Sequence, residues 1–431
     1  MKTLRHDYNS ETPQVMHIDL NSCFATVEQQ ARVRLRGRPV AIVNRRTEHT
    51  MIVTASYEAK AMGVTLGMKL KDAKKICPGL VGIESDPAKY RYVYHKMLDI
   101  MNDYSAHVRM KSIDEGVIDF HESPRAIRER GLESIGREIK QRLRNEIGCA
   151  MRCNVGIATN RFLAKTAASL HKPDGLDVIT AANLRAIYAS LELTDLTGIA
   201  QRNESRLQAV GILTPLQFLD AEAQVLRSMV FKSVNGDQWH QRLRGWEVDN
   251  VDFEMKTAGR QFVLDGYNLP YEQIIKRLHH LCEATGKKIR SQGKVARGVQ
   301  VWATTHREPG TRKESVRGGW EGQHGSRYWH ARHMSTMPFY SDQAIYSQAK
   351  QLFVNAPPLI RTIGVTVYEL SDDDDPQMSL FGDELAREKS IVSAIDEIND
   401  RYGKHVIHSA DTIGVGDTVR EKIPFGSTRY L

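Results

Sequence analysis

The chain is poor in cysteine and has no long apolar run. Its five cysteines, Cys23, Cys77, Cys149, Cys153 and Cys282, are odd in number, and no pair has zinc-site spacing. Cys149 and Cys153 stand four apart with no second pair or histidine cluster beside them. A disulfide framework is not expected, and reduced thiols in a cytoplasmic protein are. No run of about 18 apolar residues occurs, so no segment is expected to span a membrane. The opening MKTLRHDYNSETPQ is polar and lacks the apolar core of a secretory signal. There is no internal repeat.

What is present is a basic, globular composition. The 431 residues exceed one ordinary core and suggest about two to four domains. Hydrophobic residues at 41% and charged residues at 26% fit a mostly folded chain. The net charge of +8 suits a polyanionic partner, of which nucleic acid is the commonest. Charge alone fits a merely basic soluble protein equally well.

The apolar run Val15 to Ile18 ends at Asp19 and predicts a buried strand. A helix is expected over Asn21–Gln30, strands over Arg38–Val43 and Thr50–Thr54, and short helices over Tyr57–Gly63 and Lys69–Ile76. Tyr90, Val93, Tyr94, Met97, Leu98 and Met101 repeat at helical spacing. Two strands are expected around Ser112-Ile113-Asp114-Glu115, one long helix through Ile127, Ile135, Ile139 and Leu143, and a strand over Asn154–Ala158. This order resembles a ferredoxin-like sheet with an insertion after its first strand. Such a sheet would bring Asp19 and the Asp114-Glu115 pair to neighbouring strand ends.

Residues 179–245 read as helical. Gly198-Ile199 and Gly211 mark turns like those of a helix-hairpin-helix, whose backbone amides approach a DNA phosphate. A plain helical packing unit fits the same pattern. Residues 250–370 read as strands with one amphipathic helix carrying Ile274, Ile275, Leu278 and Leu281. An acidic linker, SDDDDP, and a polar tail follow.

Asp and Glu are hard oxygen ligands of the kind magnesium takes together with substrate phosphates. Asp19, Asp114 and Glu115 could hold two such ions about 4 Å apart for phosphoryl transfer. Acidic pairs are more often solvated turns, so spacing alone does not decide. Four motifs supply the context. Asp19-Leu20-Asn21-Ser22-Cys23-Phe24 resembles the first motif of Y-family DNA polymerases, the translesion class. Thr54-Ala55-Ser56-Tyr57-Glu58-Ala59-Lys60 is similar to their fingers motif, and Ser112-Ile113-Asp114-Glu115 to their palm signature. Gly156 to Lys165, followed by Lys172-Pro173-Asp174-Gly175, resembles a further segment. The motifs occur in family order, and the resemblance runs from about Val15 to Phe381.

The resemblance implies an α+β right-hand polymerase. Its ferredoxin-like palm would be 1–22 and 87–178, its small fingers 23–86, its helical thumb 179–245, and its α/β little finger 250–370, with a tail at 371–431. It implies two Mg2+ ions on Asp19, Asp114 and Glu115, helped by the Leu20 carbonyl. It places Cys23, Phe24, Thr54, Tyr57, Lys60 and Arg161 at the incoming dNTP, with Phe24 as a steric gate under the sugar. It also implies DNA contacts at Gly198, Ile199 and Gly211. Ordinary packing of Tyr57 and Phe24, and solvated charges at Lys60 and Arg161, are the plainer alternatives. Lys60 stands where many members carry Arg, and it lacks the guanidinium fork. Asn21 replaces an acid common in the DinB (polymerase IV) branch and is similar to the UmuC branch, as is Ala394 to Gly403.

Gln377-Met378-Ser379-Leu380-Phe381 resembles the peptide with which bacterial polymerases dock on the sliding clamp. Gln377 would bond at the rim while Leu380 and Phe381 fill an apolar pocket. A loop with a locally buried Leu-Phe pair is the alternative. The expected partners are therefore primer-template DNA, dNTPs and the clamp, for a monomer. The expected activity is distributive, low-fidelity copying of damaged template. Two rivals are a catalytically silent DNA-binding scaffold of a lesion-bypass complex and a metal-dependent nuclease. Silent relatives lose the metal-binding acids, and all three are present here.

Overall fold

The computed structural model describes residues 7–250, 254–264, 266, 268–305, 328–373, 382–403 and 405–415, with side chains of the 382–402 helix from 388 onward. These fall into two compact units, 7–250 and 254–415. The strands in chain order are β1 (Val15–Leu20), β2 (Val40–Val43), β3 (Ile52–Ala55), β4 (Val81–Glu84), β5 (Val108–Met110), β6 (Glu115–Asp119), β7 (Cys153–Ala158), β8 (Leu176–Val178), β9 (Thr257–Val263), β10 (Lys294–Thr305), β11 (Tyr328–Phe339) and β12 (Ile360–Asp372).

The first unit is built on a sheet of order β5-β6-β1-β7-β8. β1 lies at its centre, antiparallel to both β6 and β7. With the helices Pro87–Asn102 and Leu132–Arg142, this is the β-α-β-β-α-β order of a ferredoxin-like unit with one strand added. Alternate residues of β1 explain its central place. Met16, Ile18 and Leu20 join Tyr90, Met97 and Ile139 in one core, while Val15 joins Phe162 and Ala164 in another. The helix Arg161–Leu170 lies so close over β7 that a Cβ at Gly156 would come within 2.0 Å of the Ala164 carbonyl oxygen. Only glycine fits there.

A smaller sheet, β3-β2-β4, interrupts the chain between β1 and the Pro87–Asn102 helix. The helices from Leu184 to Leu243 surround Tyr188, Phe218 and Trp239. The long helix expected through Ile127 and Leu143 is instead two helices, Arg125–Arg128 and Leu132–Arg142, with a π-helical turn over Leu143–Ile147. Gly131 breaks it by taking a φ of 78°, a value an L side chain resists.

The second unit is an antiparallel sheet of order β11-β10-β12-β9, packed against the helix Tyr271–Arg290. A second helix, Asp342–Phe353, corrects the expectation of one. Ser341 caps it by accepting from the Ala344 amide, and Ile345, Ala349 and Phe353 line its buried face at intervals of four. The supposed polar tail contains a helix, Gly382–Tyr402, that belongs to this unit. No helix among the described residues is long and apolar enough to cross a membrane.

Candidate active site

β1 and β6 pair with Asp19 directly opposite Glu115. His17, two residues earlier on β1, shares the face of Asp19. Its Nε2 lies 3.1 Å from Glu115 Oε2, and ligand atoms of His17, Asp19 and Glu115 all fall within 4.8 Å of one another. Asp114 occupies the turn just before β6. The Leu20 amide donates to its carbonyl at 2.8 Å, and Ser112 Oγ donates to its carboxylate. The three acids thus meet as expected at adjacent strand ends, and Leu20 lies beside Asp114 through its backbone.

The carboxylates have different surroundings. Burial pushes the Asp114 carboxyl up, and the charges of Asp19 and Glu115 push it further. Burial also raises Glu115, but hydrogen bonds from His17 and Lys165 outweigh it and hold the group at about 2. Lys165 Nζ stands 2.8 and 2.7 Å from the two Glu115 oxygens. Lys172 Nζ stands 2.6 Å from Asp19 Oδ2. Two lysines therefore balance a site that concentrates three acids.

Asn21 fixes the loop that carries Lys172. Its Nδ2 donates to Asn154 at 2.9 Å, and its Oδ1 accepts from the Asp174 amide at 2.7 Å. A neutral amide serves both bonds, whereas an ionised acid could only accept. The chain leaves β1 through Ser22 at a φ of 45°, a strained value for a residue with a side chain.

That turn also orders the small-sheet residues. Lys60 Nζ donates to Ser22 Oγ at 2.8 Å and lies 4.8 Å from the centre of the Tyr57 ring. Burial lowers the Lys60 ammonium and Lys172 lowers it further, while Asp19 opposes both. Burial and Asp19 raise the Tyr57 phenol. Tyr57, Lys60, Lys172 and Asp19 therefore share one electrostatic neighbourhood. Thr54 sits half-buried on β3, just before the Tyr57–Ala61 helix. Phe24 is buried and stacks on Tyr90, ring centres 4.4 Å apart and planes at 12°. Cys23 is buried too, and burial raises its thiol ahead of Asp114 and Asp19.

Arg161 is placed elsewhere. Its guanidinium donates to Asn250 at 2.8 Å and stands 3.8 Å from Asp119, the residue at the opposite end of β6 from Glu115. Four residues of strand span about 13 Å, so Arg161 is not brought to the carboxylates. Lys165 and Lys172 are the cations that contact the carboxylates. The spacing of His17 and Asp19, two apart on a strand, was the available signal for His17.

Of the other expected residues, Gly198 and Gly211 take positive φ values of 95° and 82° on either side of the helix Gln201–Gln208. The Ile199 side chain is buried in the core and leaves only its backbone for a ligand. Gln377, Leu380 and Phe381 lie outside the described residues.

Residues 18–169 match the impB/mucB/samB family, and residues 262–380 match the impB/mucB/samB family C-terminal domain. DNA polymerase IV of Moorella thermoacetica is 32% identical over 413 residues, covering 92% of this chain and 95% of that protein. DNA polymerase IV 1 of Bacillus subtilis is 27% identical, covering 93% of each. In fold, a Y-family DNA polymerase chimera superposes with a TM-score of 0.66 at 20% identity, over 82% of this chain and 98% of that one. The insertion ternary complex of Dbh DNA polymerase gives a TM-score of 0.55 at 21% identity over the same shares. The chain belongs to the impB/mucB/samB family of Y-family DNA polymerases.

Proposed function

We propose that the chain is a template-directed DNA polymerase that performs translesion synthesis, joining a dNTP to a primer 3′-hydroxyl. The observation that carries this is Asp19 opposite Glu115 on paired strands, with Asp114 beside them and two lysines on the carboxylates. An all-carboxylate set with a backbone carbonyl suits Mg2+, which prefers hard oxygen ligands. Asp19, Asp114, Glu115 and the Leu20 carbonyl would hold two such ions. When bound, the ions would favour ionisation of the attacking hydroxyl and neutralise charge on the leaving pyrophosphate.

The protein's own residues then position and neutralise. Lys172, tethered through Asn21, gives up Asp19 and turns to the triphosphate, joined by Lys60 and Tyr57. Lys165 and His17 keep Glu115 ionised and oriented. Phe24, braced by Tyr90, stands as a wall against a ribose 2′-hydroxyl. Residues 1–22 and 87–178 act as palm, 23–86 as fingers, 179–245 as thumb and 250–370 as little finger. Backbone amides around Gly198, Ile199 and Gly211 meet DNA phosphates. Gln377, Leu380 and Phe381 tether the enzyme to the sliding clamp. The protein works as a monomer in the cytoplasm.

Primer extension tests this. With Mg2+ and dNTPs the purified chain should extend a primer on undamaged and abasic templates and stop when the metal is chelated. DNA binding without extension would support a silent scaffold instead, and loss of primer length would support a nuclease.

A further inference from the structure

A second cluster of ligating side chains lies in the 254–415 unit. His280 and Glu283 are three residues apart and so share one face of the helix Tyr271–Arg290. His405, just beyond the Gly382–Tyr402 helix, brings its ring to 4.6 Å from that of His280, centre to centre. Ligand atoms of His280, Glu283 and His405 all lie within 4.8 Å of one another. His280 is 4% and Glu283 6% exposed, so water does little to satisfy them.

The two oxygens of Glu283 are used differently. Oε1 accepts from the Ser409 amide at 2.9 Å and from Thr412 Oγ1 at 3.2 Å, binding the 409–412 segment to the helix. Oε2 is buried and accepts no hydrogen bond among the described residues. It faces His280 Nδ1 at 3.5 Å. The Glu283 carboxylate and the His280 and His405 rings therefore offer ligand atoms that converge on one small, largely buried volume.

We propose that His280, Glu283 and His405 form a binding site for a transition-metal dication of the Zn2+ class, which fastens the 405–412 segment onto the helix Tyr271–Arg290. Two imidazoles and one carboxylate favour such an ion over Mg2+ or Ca2+, which seek oxygen alone. Ligands bonded at about 2.1 Å to one tetrahedral ion stand about 3.4 Å apart, so the site closes with side-chain shifts of about 1 Å. A fourth position remains for water.

The test uses the full chain, stripped with chelator and titrated with Zn2+ against a chromogenic indicator in excess Mg2+. One equivalent should bind. His405→Ala, at a half-exposed position, and Glu283→Gln, which keeps an acceptor for Ser409, should each weaken binding at least about tenfold. Co2+ should give the intense visible bands of a low-coordinate nitrogen-oxygen site in the wild type and lose them in both variants. Zn2+ should raise the unfolding temperature of the wild type but not of His405→Ala. Absence of Zn2+ uptake would overturn the proposal. So would binding that both variants retain, or binding removed by Asp19→Asn instead.

Discussion

Lys172 Nζ contacts the Asp19 carboxylate at 2.6 Å although 153 residues separate the two in the chain. Asp19 ends the central strand, and Lys172 lies on the loop that Asn21 ties back to it. In the proposed function this cation meets the incoming triphosphate. Lys172→Ala should raise the dNTP KM roughly 10- to 100-fold, the worth of one charge-assisted hydrogen bond, with DNA affinity little changed. Arg161→Ala should act differently, lowering stability by about 1–3 kcal/mol and leaving the dNTP KM near that of the wild type. Steady-state kinetics and denaturant unfolding of the two variants check both. The reverse pattern would return the triphosphate role to Arg161.

The difference between these two residues shows what the sequence could convey. The apolar run Val15 to Ile18 marks a strand, and the acids at its end and at Asp114-Glu115 were readable without coordinates. The direction of the next helix was not. β7 begins opposite Leu20 and ends opposite Val15, so the helix after it starts far from Asp19 and runs back. Arg161 therefore lies by Asp119, Lys165 reaches Glu115, and Lys172 arrives at Asp19. The Gly382–Tyr402 helix escaped detection for another reason. It was read as part of a polar tail although Ile391, Ala394, Ile395 and Ile398 stand at helical spacing, and ion pairs of Asp396 with Arg290 and Asp400 with Lys287 join it to the Tyr271–Arg290 helix.

Phe24 is buried and stacks on Tyr90, and the proposed function makes it a steric gate. Phe24→Ala should raise ribonucleotide incorporation relative to deoxyribonucleotide at least about tenfold, since a clash rejects a larger substrate strongly. The ratio of kcat/KM values in single-nucleotide insertion reads this independently of any loss in folded fraction. An unchanged ratio would remove the gate.

Replacing Leu380 and Phe381 together with Ala should leave distributive synthesis on short primers intact and abolish stimulation by a loaded clamp. Tethering acts by effective concentration and needs no active-site contact. Stimulation that survives the double substitution would exclude these residues as the anchor. Equal slowing without clamp would point to a packing role.

The 254–415 unit should weaken in mild acid. His279 stacks on Tyr346 with ring centres 3.6 Å apart. Burial is the main cause that lowers its imidazole. Lys350 and His280 act with burial, and Glu283 and Asp411 act against it. Burial likewise lowers His405, with His280, His408 and Lys287 in support and Glu283 opposed. A lowered folded pKa stabilises the fold above the unfolded value of about 6.5, and that gain is lost as pH falls through the folded values. Thermal unfolding of metal-free protein from pH 7.5 to 5.5 should show the loss, reading roughly one titration unit either side of that value. His279→Phe should flatten the profile. An equally steep profile in that variant would assign the dependence to other groups.

The most direct test of the central claim is single-turnover insertion by Asp114→Ala with Mg2+, measured beside its affinity for primer-template DNA. The substitution removes a proposed metal ligand while sparing the phosphate contacts on which DNA affinity mainly rests. The account predicts insertion reduced at least about a thousandfold, in the range seen when a transition-state electrostatic contact is lost, with DNA affinity within about threefold of the wild type. Insertion near the wild-type rate by a variant that binds DNA normally would contradict it.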